Sequence, residues 1–227
     1  NTTLLDMVVA SLKKPRFVYL SSSMVYEAAV SFPSRETDLQ TTYIPKTAYG
    51  MSKLCGEYFC KAYAKQYGIE YTIVRPFNAI GPERPDPNMV GFSHVLPDLV
   101  LKIKNGQGRE TNPLEILGNG NQVRHYTHVK DIADGIITCI LSSKSVNEDF
   151  NISTPRGHTV KELAQILFER MDETWSELTF KELPGFDADV QNRVPDTSKM
   201  KNFFGWEAKY TLENSAKEII DAVIKLL

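Results

Sequence analysis

Cysteine is scarce in this chain, and the three present (Cys55, Cys60 and Cys139) form neither an even set nor a metal-ligand spacing. That argues against a disulfide framework or a cysteine-based metal site and reads as buried thiols of a reducing, cytoplasmic compartment. An excess of charge of one sign is also lacking, since 26 basic residues meet 28 acidic ones for a net charge of −2. Charges so well mixed leave no footprint for nucleic acid or for an anionic membrane surface. No apolar run approaches the ~18 residues of a membrane span, and no signal-peptide pattern is present. Repeats and low-complexity linkers are absent. The chain opens on Asn1 in helix-like text with no strand before it, so the expectation is the later part of a longer protein.

What remains is ordinary globular text. With 227 residues and 42% hydrophobic content, the chain can bury a full core as one domain, or as a large lobe plus a small one. Residues 3–12 read as an amphipathic helix stopped by Lys13-Lys14-Pro15. Arg16 to Leu20 has the β-branched and aromatic content of a buried parallel strand, and it runs directly into Ser21-Ser22-Ser23. In an open α/β sheet ligands bind at the carboxyl ends of strands, so these hydroxyls are well sited for chemistry. They read equally as a polar strand-end turn. A long proline- and acid-containing loop fills 28–46.

A helix headed by Thr47-Ala48-Tyr49-Gly50-Met51-Ser52-Lys53 follows, running to Gly68 with an apolar stripe of Leu54, Tyr58, Ala62 and Tyr63 that suits either a core or a dimer contact. Glu70–Val74 is a second buried strand ending in Arg75-Pro76-Phe77-Asn78. Strand, helix and strand make a βαβ unit and hence a parallel sheet. Beyond it, the pattern predicts a helix over Ser93–Lys104 with His94 in its first turn, a strand over Leu114–Leu117 and a strand-like run over Val123–Val129. Asp131 is the expected N-cap of a helix to Ser142. Strands at 150–152 and 178–183 flank a helix over Lys161–Met171 capped by Thr159 with Glu162. Helices at 198–204 and 212–227 close the chain.

Tyr49 and Lys53 are four residues apart, so on a helix they share one face. A cation held beside a phenol stabilises its phenolate and makes the tyrosine a usable acid or base near neutrality. The spacing alone is weak, because roughly one Tyr-x3-Lys match is expected by chance in a chain of this composition. A second match, Tyr126 to Lys130, falls at a strand end and fails on context.

Taken together, Ser22, Tyr49-x3-Lys53, Arg75-Pro-Phe-Asn78 and Val123-Arg124-x3-Val-x-Asp131 resemble the extended short-chain dehydrogenase/reductase superfamily. More narrowly, they resemble its NAD-dependent nucleotide-sugar epimerase/dehydratase branch, of the UDP-glucose 4-epimerase kind. The resemblance implies an α/β fold: a Rossmann-type parallel sheet, here incomplete at its N-terminus, with a small mixed α/β C-terminal substrate lobe. Residues 1–80 would form the second half of the NAD(P)-binding domain. Residues 81–227 would form mainly the substrate lobe, some elements returning to the sheet. The family's Gly-rich turn, which brings a helix N-terminus to the pyrophosphate, would precede residue 1; Gly118-x-Gly120 leads into a strand and does not replace it.

The same resemblance assigns roles. Ser22 would be the catalytic hydroxyl, Tyr49 the proton carrier and Lys53 the partner of both Tyr49 and the cofactor ribose. Ser21 and Pro76 would also border the cofactor. Ser23, Met24, Asn78, His94, Arg124, Asp189 and Arg193 would face the substrate, with Arg124 gripping the nucleotide diphosphate through its planar donors. The upstream arginine that relatives keep before Asp189 is replaced by Phe186 and Asp187. Asp131 reads first as a helix cap.

For the chemistry, a 4,6-dehydratase needs an acid and a base where this chain has Ser23-Met24, which argues against dehydration. A 4-epimerase, in which NAD takes a hydride from C4 and returns it to the other face, needs nothing further. A GDP-fucose-synthase-like reductase or epimerase/reductase, using NADP, is the runner-up: Ser93-His94-Val95-Leu96-Pro97 resembles the segment holding that group's histidine, although its partner cysteine would fall on Met24. A catalytically silent binding or regulatory member of the fold is the third reading. The partners implied are a UDP- or GDP-sugar and a second copy of the chain in a homodimer.

Overall fold

The structure, a computed structural model, describes residues 2–82, 94–171, 178–185 and 190–226. Helix α1 (Thr2–Ala10) leads to β1 (Phe17–Leu20), then α2 (Ala48–Tyr67), β2 (Tyr71–Pro76), β3 (Ala79–Ile80) and α3 (Val95–Lys104). There follow β4 (Leu114–Leu117), β5 (Val123–Arg124), β6 (Thr127–His128), α4 (Val129–Leu141), β7 (Glu148–Ile152), β8 (His158–Thr159) and α5 (Val160–Arg170). The chain ends with β9 (Phe180–Leu183), β10 (Asn192–Arg193), α6 (Ser198–Phe204) and α7 (Leu212–Leu226).

Strands β1, β2 and β7 form a parallel sheet in that order, in the register Leu20↔Val74 and Val74↔Phe150. Because strand side chains alternate, Tyr19 and Ile73 face α2 and pack on Cys60, while Val74, Phe150 and Ile152 face the other way, onto Ile132 of α4 and Met200 of α6. The largest cluster lies elsewhere, where Leu99 and Ile103 of α3, Leu163 and Leu167 of α5, and Ile219 and Val223 of α7 pack with Leu114 of β4. The 28–46 segment is anchored: it carries a short 3-10 helix, Glu36–Gln40, and the buried Glu36 carboxylate accepts from the Asn151 N–H at 2.8 Å.

Helix α2 starts where Thr47 Oγ1 accepts from the Gly50 N–H at 3.1 Å, and it stops at Gly68, whose φ of 68° suits glycine. Its buried positions are Gly50, Gly56, Glu57 and Cys60, so the expected Leu54/Tyr58/Ala62/Tyr63 stripe is not core. Leu54 and Tyr63 are half-buried and Tyr58 and Ala62 are exposed. The physical reason is Gly56: a Cβ there would run into the Tyr19 ring, so the glycine face is the one that approaches the sheet. Cys55 shares the outward face and is exposed, unlike the buried Cys60 and Cys139, which corrects the expectation of three buried thiols.

Other boundaries differ from the sequence pattern: α3 begins at Val95, which makes His94 its N-cap and not a first-turn residue. The run from Val123 to Val129 splits, with β5 pairing β10 and β8 while β6 pairs β3. Helix α4 begins earlier than expected, its N-cap being His128, whose Nδ1 accepts from the Lys130 N–H at 3.1 Å. Asp131 is therefore not the cap. Its carboxylate accepts from the backbone N–H groups of Lys209 and Tyr210 at 3.0 and 2.9 Å, tying α4 to the segment before α7.

Candidate active site

A cleft of about 420 Å³ opens at the carboxyl ends of β1 and β2, and its wall includes Ser22, Tyr49, Asn78, His94, Tyr126 and Arg193. This volume lies within the range of small-ligand pockets. Each residue arrives by a local cause. Ser22 is the first residue but one beyond β1, in extended backbone (φ −155°), and its Oγ accepts from the Met24 N–H at 3.2 Å, turning the chain into a short 3-10 segment. Ser23 and Met24 follow onto the same wall. Tyr49 stands in the first turn of α2 and is 53% exposed, which leaves its phenol open.

Lys53 does not line the cleft itself. Its Nζ donates to the Leu20 carbonyl at 2.9 Å and lies 5.8 Å from the Tyr49 ring centre and 5.7 Å from that of Tyr19. The cation is thus held at the end of β1, beside the phenol. Ser21 and Pro76 also border the cleft, but the Ser21 hydroxyl turns inward and donates to Glu57 at 2.5 Å.

Asn78 follows β2 with φ 27°, a left-handed conformation that asparagine tolerates better than most side chains. Its carbonyl accepts from the Thr127 N–H at 3.0 Å, and its Oδ1 is buried without a hydrogen-bond partner. His94 precedes α3. Arg193 and Arg124 are Cα partners in the parallel β10–β5 pair, so two guanidinium-bearing positions lie side by side. Arg124 donates to the Val123 carbonyl at 2.9 Å and is not on the cleft wall, whereas Arg193 is. Asp189, Ser93, Phe186 and Asp187 lie outside the described residues.

Beneath the cleft is a buried charge network that the sequence reading missed. Arg75 is fully buried and donates to both oxygens of Glu57, to Asp149 at 2.6 Å and to the Tyr26 hydroxyl at 2.8 Å. Burial opposes the charged form of Asp149, but Arg75 first, then Lys61 and Lys199, outweigh it and hold its carboxyl below the ordinary range. The available signal was Glu57 itself, four residues after Lys53 and so on the inward face, matched by an arginine inside an apolar strand. Tyr126 was missed for another reason: considered as half of a Tyr/Lys pair, it fails, yet it is one of the residues that line the cleft. The other half, Lys130, pairs with Glu218 at 2.6 Å.

Residues 1–153 match the NAD dependent epimerase/dehydratase family. The chain belongs to that family. A UDP-glucose 4-epimerase of Thermotoga maritima, solved with UDP-glucose, superposes with a TM-score of 0.80 at 28% identity, over 99% of this chain and 68% of that one. A dTDP-glucose 4,6-dehydratase of Bacillus anthracis, solved with NAD, gives 0.80 at 25% identity over 99% and 66%. Among curated relatives, UDP-glucuronic acid decarboxylase 1 of Danio rerio is 29% identical over 78% of this chain and 39% of its own length. GDP-L-fucose synthase of Sinorhizobium fredii is 29% identical over 87% and 62%. The chain therefore spans between about two fifths and two thirds of these curated family members. Among the described residues, no helix is long and apolar enough to cross a membrane.

Proposed function

We propose that this chain carries the catalytic and sugar-binding part of an NAD-dependent nucleotide-sugar 4-epimerase. The observation that carries the reading is one cleft bordered by Ser22, Tyr49 and Asn78, with the Lys53 ammonium fixed beside the Tyr49 ring. Ser22 hydrogen-bonds the oxygen on C4 of the sugar, and Tyr49 takes its proton and later gives it back. Lys53, held on the Leu20 carbonyl with its ammonium 5.8 Å from the Tyr49 ring centre, stands beside that phenol. Asn78 offers its side-chain amide to the sugar, and Arg193 on the cleft wall, with Arg124 behind it in the strand pair, brings the planar guanidinium donors that suit a diphosphate. Ser23 and Met24 bring no acid or base to the wall, which supports a reaction without loss of water.

The residues present fit the nicotinamide end of the cofactor. Tyr49 and Lys53 would hold it at the carboxyl end of β1, where Ser21 and Pro76 border the cleft. When bound, NAD supplies the acceptor and donor of the C4 hydride. The exposed apolar face beside α2, a groove of about 230 Å³ bordered by Tyr43, Ile44, Met51 and Tyr58, is the contact surface of a homodimer in this reading.

A second reading rests on His94, which shares the cleft wall with Met24: a 4-keto-sugar reductase of the GDP-fucose synthase kind, with NADP in place of NAD. The two are separated by assaying the full-length protein on UDP- and GDP-hexoses. Product formed without added NADPH supports the epimerase, and stoichiometric NADPH consumption supports the reductase. Neither result, with no retained NAD(H), would leave the silent binding member.

A further inference from the structure

We propose that Glu27 is a positioning residue of the site, holding the first turn of α2, and with it Tyr49, at a set distance from Ser22. The inference rests on the nucleotide-sugar reading above and deepens it, because in that reading Ser22 and Tyr49 meet the same sugar oxygen. The two come from different elements, Ser22 from the turn after β1 and Tyr49 from α2, with the whole 28–46 segment between them. Local backbone geometry therefore does not set their separation, and a contact across the two elements has to.

Glu27 supplies that contact. It closes the 3-10 segment Ser23–Tyr26, its N–H donating to the Met24 carbonyl at 3.1 Å, while the Ser22 carbonyl accepts from the Val25 N–H at 3.2 Å. The backbone carrying Glu27 is thus fixed to the Ser22 turn. From there one carboxylate oxygen, Oε2, accepts from the Thr47 N–H at 3.0 Å and from the Thr47 hydroxyl at 2.8 Å. A hydroxyl has one proton to give. With that proton on Glu27, Thr47 Oγ1 is left as the acceptor for the Gly50 N–H at 3.1 Å, the bond that starts α2. Tyr49 stands between Thr47 and Gly50 in that turn.

The packing is equally close. A Cβ at Gly50 would lie 2.9 Å from Glu27 Oε2 and 2.9 Å from the Met24 carbonyl oxygen, so the start of the helix rests directly on the serine turn. The other carboxylate oxygen, Oε1, is buried with no hydrogen-bond partner, so Glu27 directs its side-chain hydrogen bonding at Thr47. Other ties from α2 to the strand ends act further along the helix: Lys53 on the Leu20 carbonyl, the Tyr19 hydroxyl on the Lys53 carbonyl and the Ser21 hydroxyl on Glu57. With the Glu27 carboxylate removed, those ties keep the body of α2 in place and the first turn is released. A displacement on the order of 1 Å between reacting groups costs up to about 10²-fold in rate.

The test compares the full-length protein with Glu27→Ala, Glu27→Gln and Thr47→Val. It measures turnover of UDP- and GDP-hexoses with and without NADPH, and hydrogen exchange of the α2 amides. In E27A, kcat should fall about tenfold to a hundredfold while KM stays within about twofold. The Gly50 and Met51 amides should exchange faster, and those beyond Lys53 should not change. Gln keeps an accepting oxygen, so E27Q should restore both kcat and the exchange rates. Thr47→Val removes the hydroxyl end of the link and should reproduce the fall in kcat, which keeps the proposal testable if E27A does not fold. Unchanged kcat in E27A or in T47V, or an effect on KM alone, overturns this inference and leaves the nucleotide-sugar reading standing. A fall in kcat that E27Q does not restore, or that comes without faster exchange, also overturns it. A parent that turns over no such hexose, with or without NADPH, removes the nucleotide-sugar reading and this inference together.

Discussion

The Arg75 guanidinium grips the Glu57 carboxylate through two hydrogen bonds, Nε to Oε1 at 2.8 Å and Nη2 to Oε2 at 2.7 Å, with both side chains sealed from solvent. The same Oε1 accepts from Ser21, so the pair ties β2, α2 and the serine turn after β1 together. Removing one partner of a buried ion pair leaves the other charge stranded. Glu57→Gln should lower stability by about 3 kcal/mol, the lower end of the usual range because Asp149 still meets Arg75. Equilibrium urea unfolding reads this, and an unchanged midpoint would show that the network is not a structural tie.

Gly56 sets the distance between α2 and the sheet. A methyl group there meets the Tyr19 ring, and that ring's hydroxyl donates to the Lys53 carbonyl at 3.3 Å. Gly56→Ala should cost about 1–3 kcal/mol through overpacking. It should also displace Tyr49 and Lys53 relative to Ser22, so that kcat falls more than substrate affinity. A variant as stable and active as the parent would contradict the close packing described.

Mild acid should destabilise the protein through its buried histidines, with Glu36, whose carboxyl burial raises, working the other way as pH falls further. Burial lowers the His125 imidazole below its ordinary range; the Thr154 carbonyl works against this and His158 adds to it. Burial also lowers His128. Their folded-state values lie below the unfolded one, near ~6.5, so the unfolded chain takes up protons first. The stability from keeping them neutral is complete above pH ~6.5 and is lost as pH falls through the folded values. Asp149, also lowered, loses its contribution only below the ordinary aspartate range near ~3.9. A thermal-unfolding series from pH 8 to 5 should show a falling Tm below about 6.5 and a shallower fall in His125→Gln. A flat profile would contradict it.

The outward face of α2 leaves Tyr58 59% exposed beside Tyr43 and Ile44, at 71% and 64%. If this is a dimer contact, light scattering should give twice the chain mass, and Tyr58→Glu should give the monomer with an unchanged fold by circular dichroism. A parent that is monomeric at high concentration would remove the homodimer from the account.

Much of this was legible in the sequence because apolar runs and caps are local signals. The βαβ unit followed from the buried runs at β1 and β2, and the Thr159/Glu162 cap formed as the pattern required. What was not legible depended on contacts between distant residues. The cap of α4 moved to His128 because Asp131 is occupied by Lys209 and Tyr210, far along the chain. The apolar text of Tyr58 and Ala62 said nothing about which face the glycines would press against the sheet. At the site, the order of motifs identified Ser22, Tyr49 and Asn78, all of which the fold brings to one cleft. Tyr126 escaped because its place on the cleft wall depends on which distant residues the fold brings beside it.

One assay tests transient oxidation at C4 with Tyr49 as the proton carrier. The full-length protein should interconvert a UDP- or GDP-hexose and its 4-epimer without added NADPH, and Tyr49→Phe should slow that turnover by about 10²–10⁴-fold. Net NADPH consumption, no interconversion of any such pair, or a Tyr49→Phe variant with full turnover would contradict it.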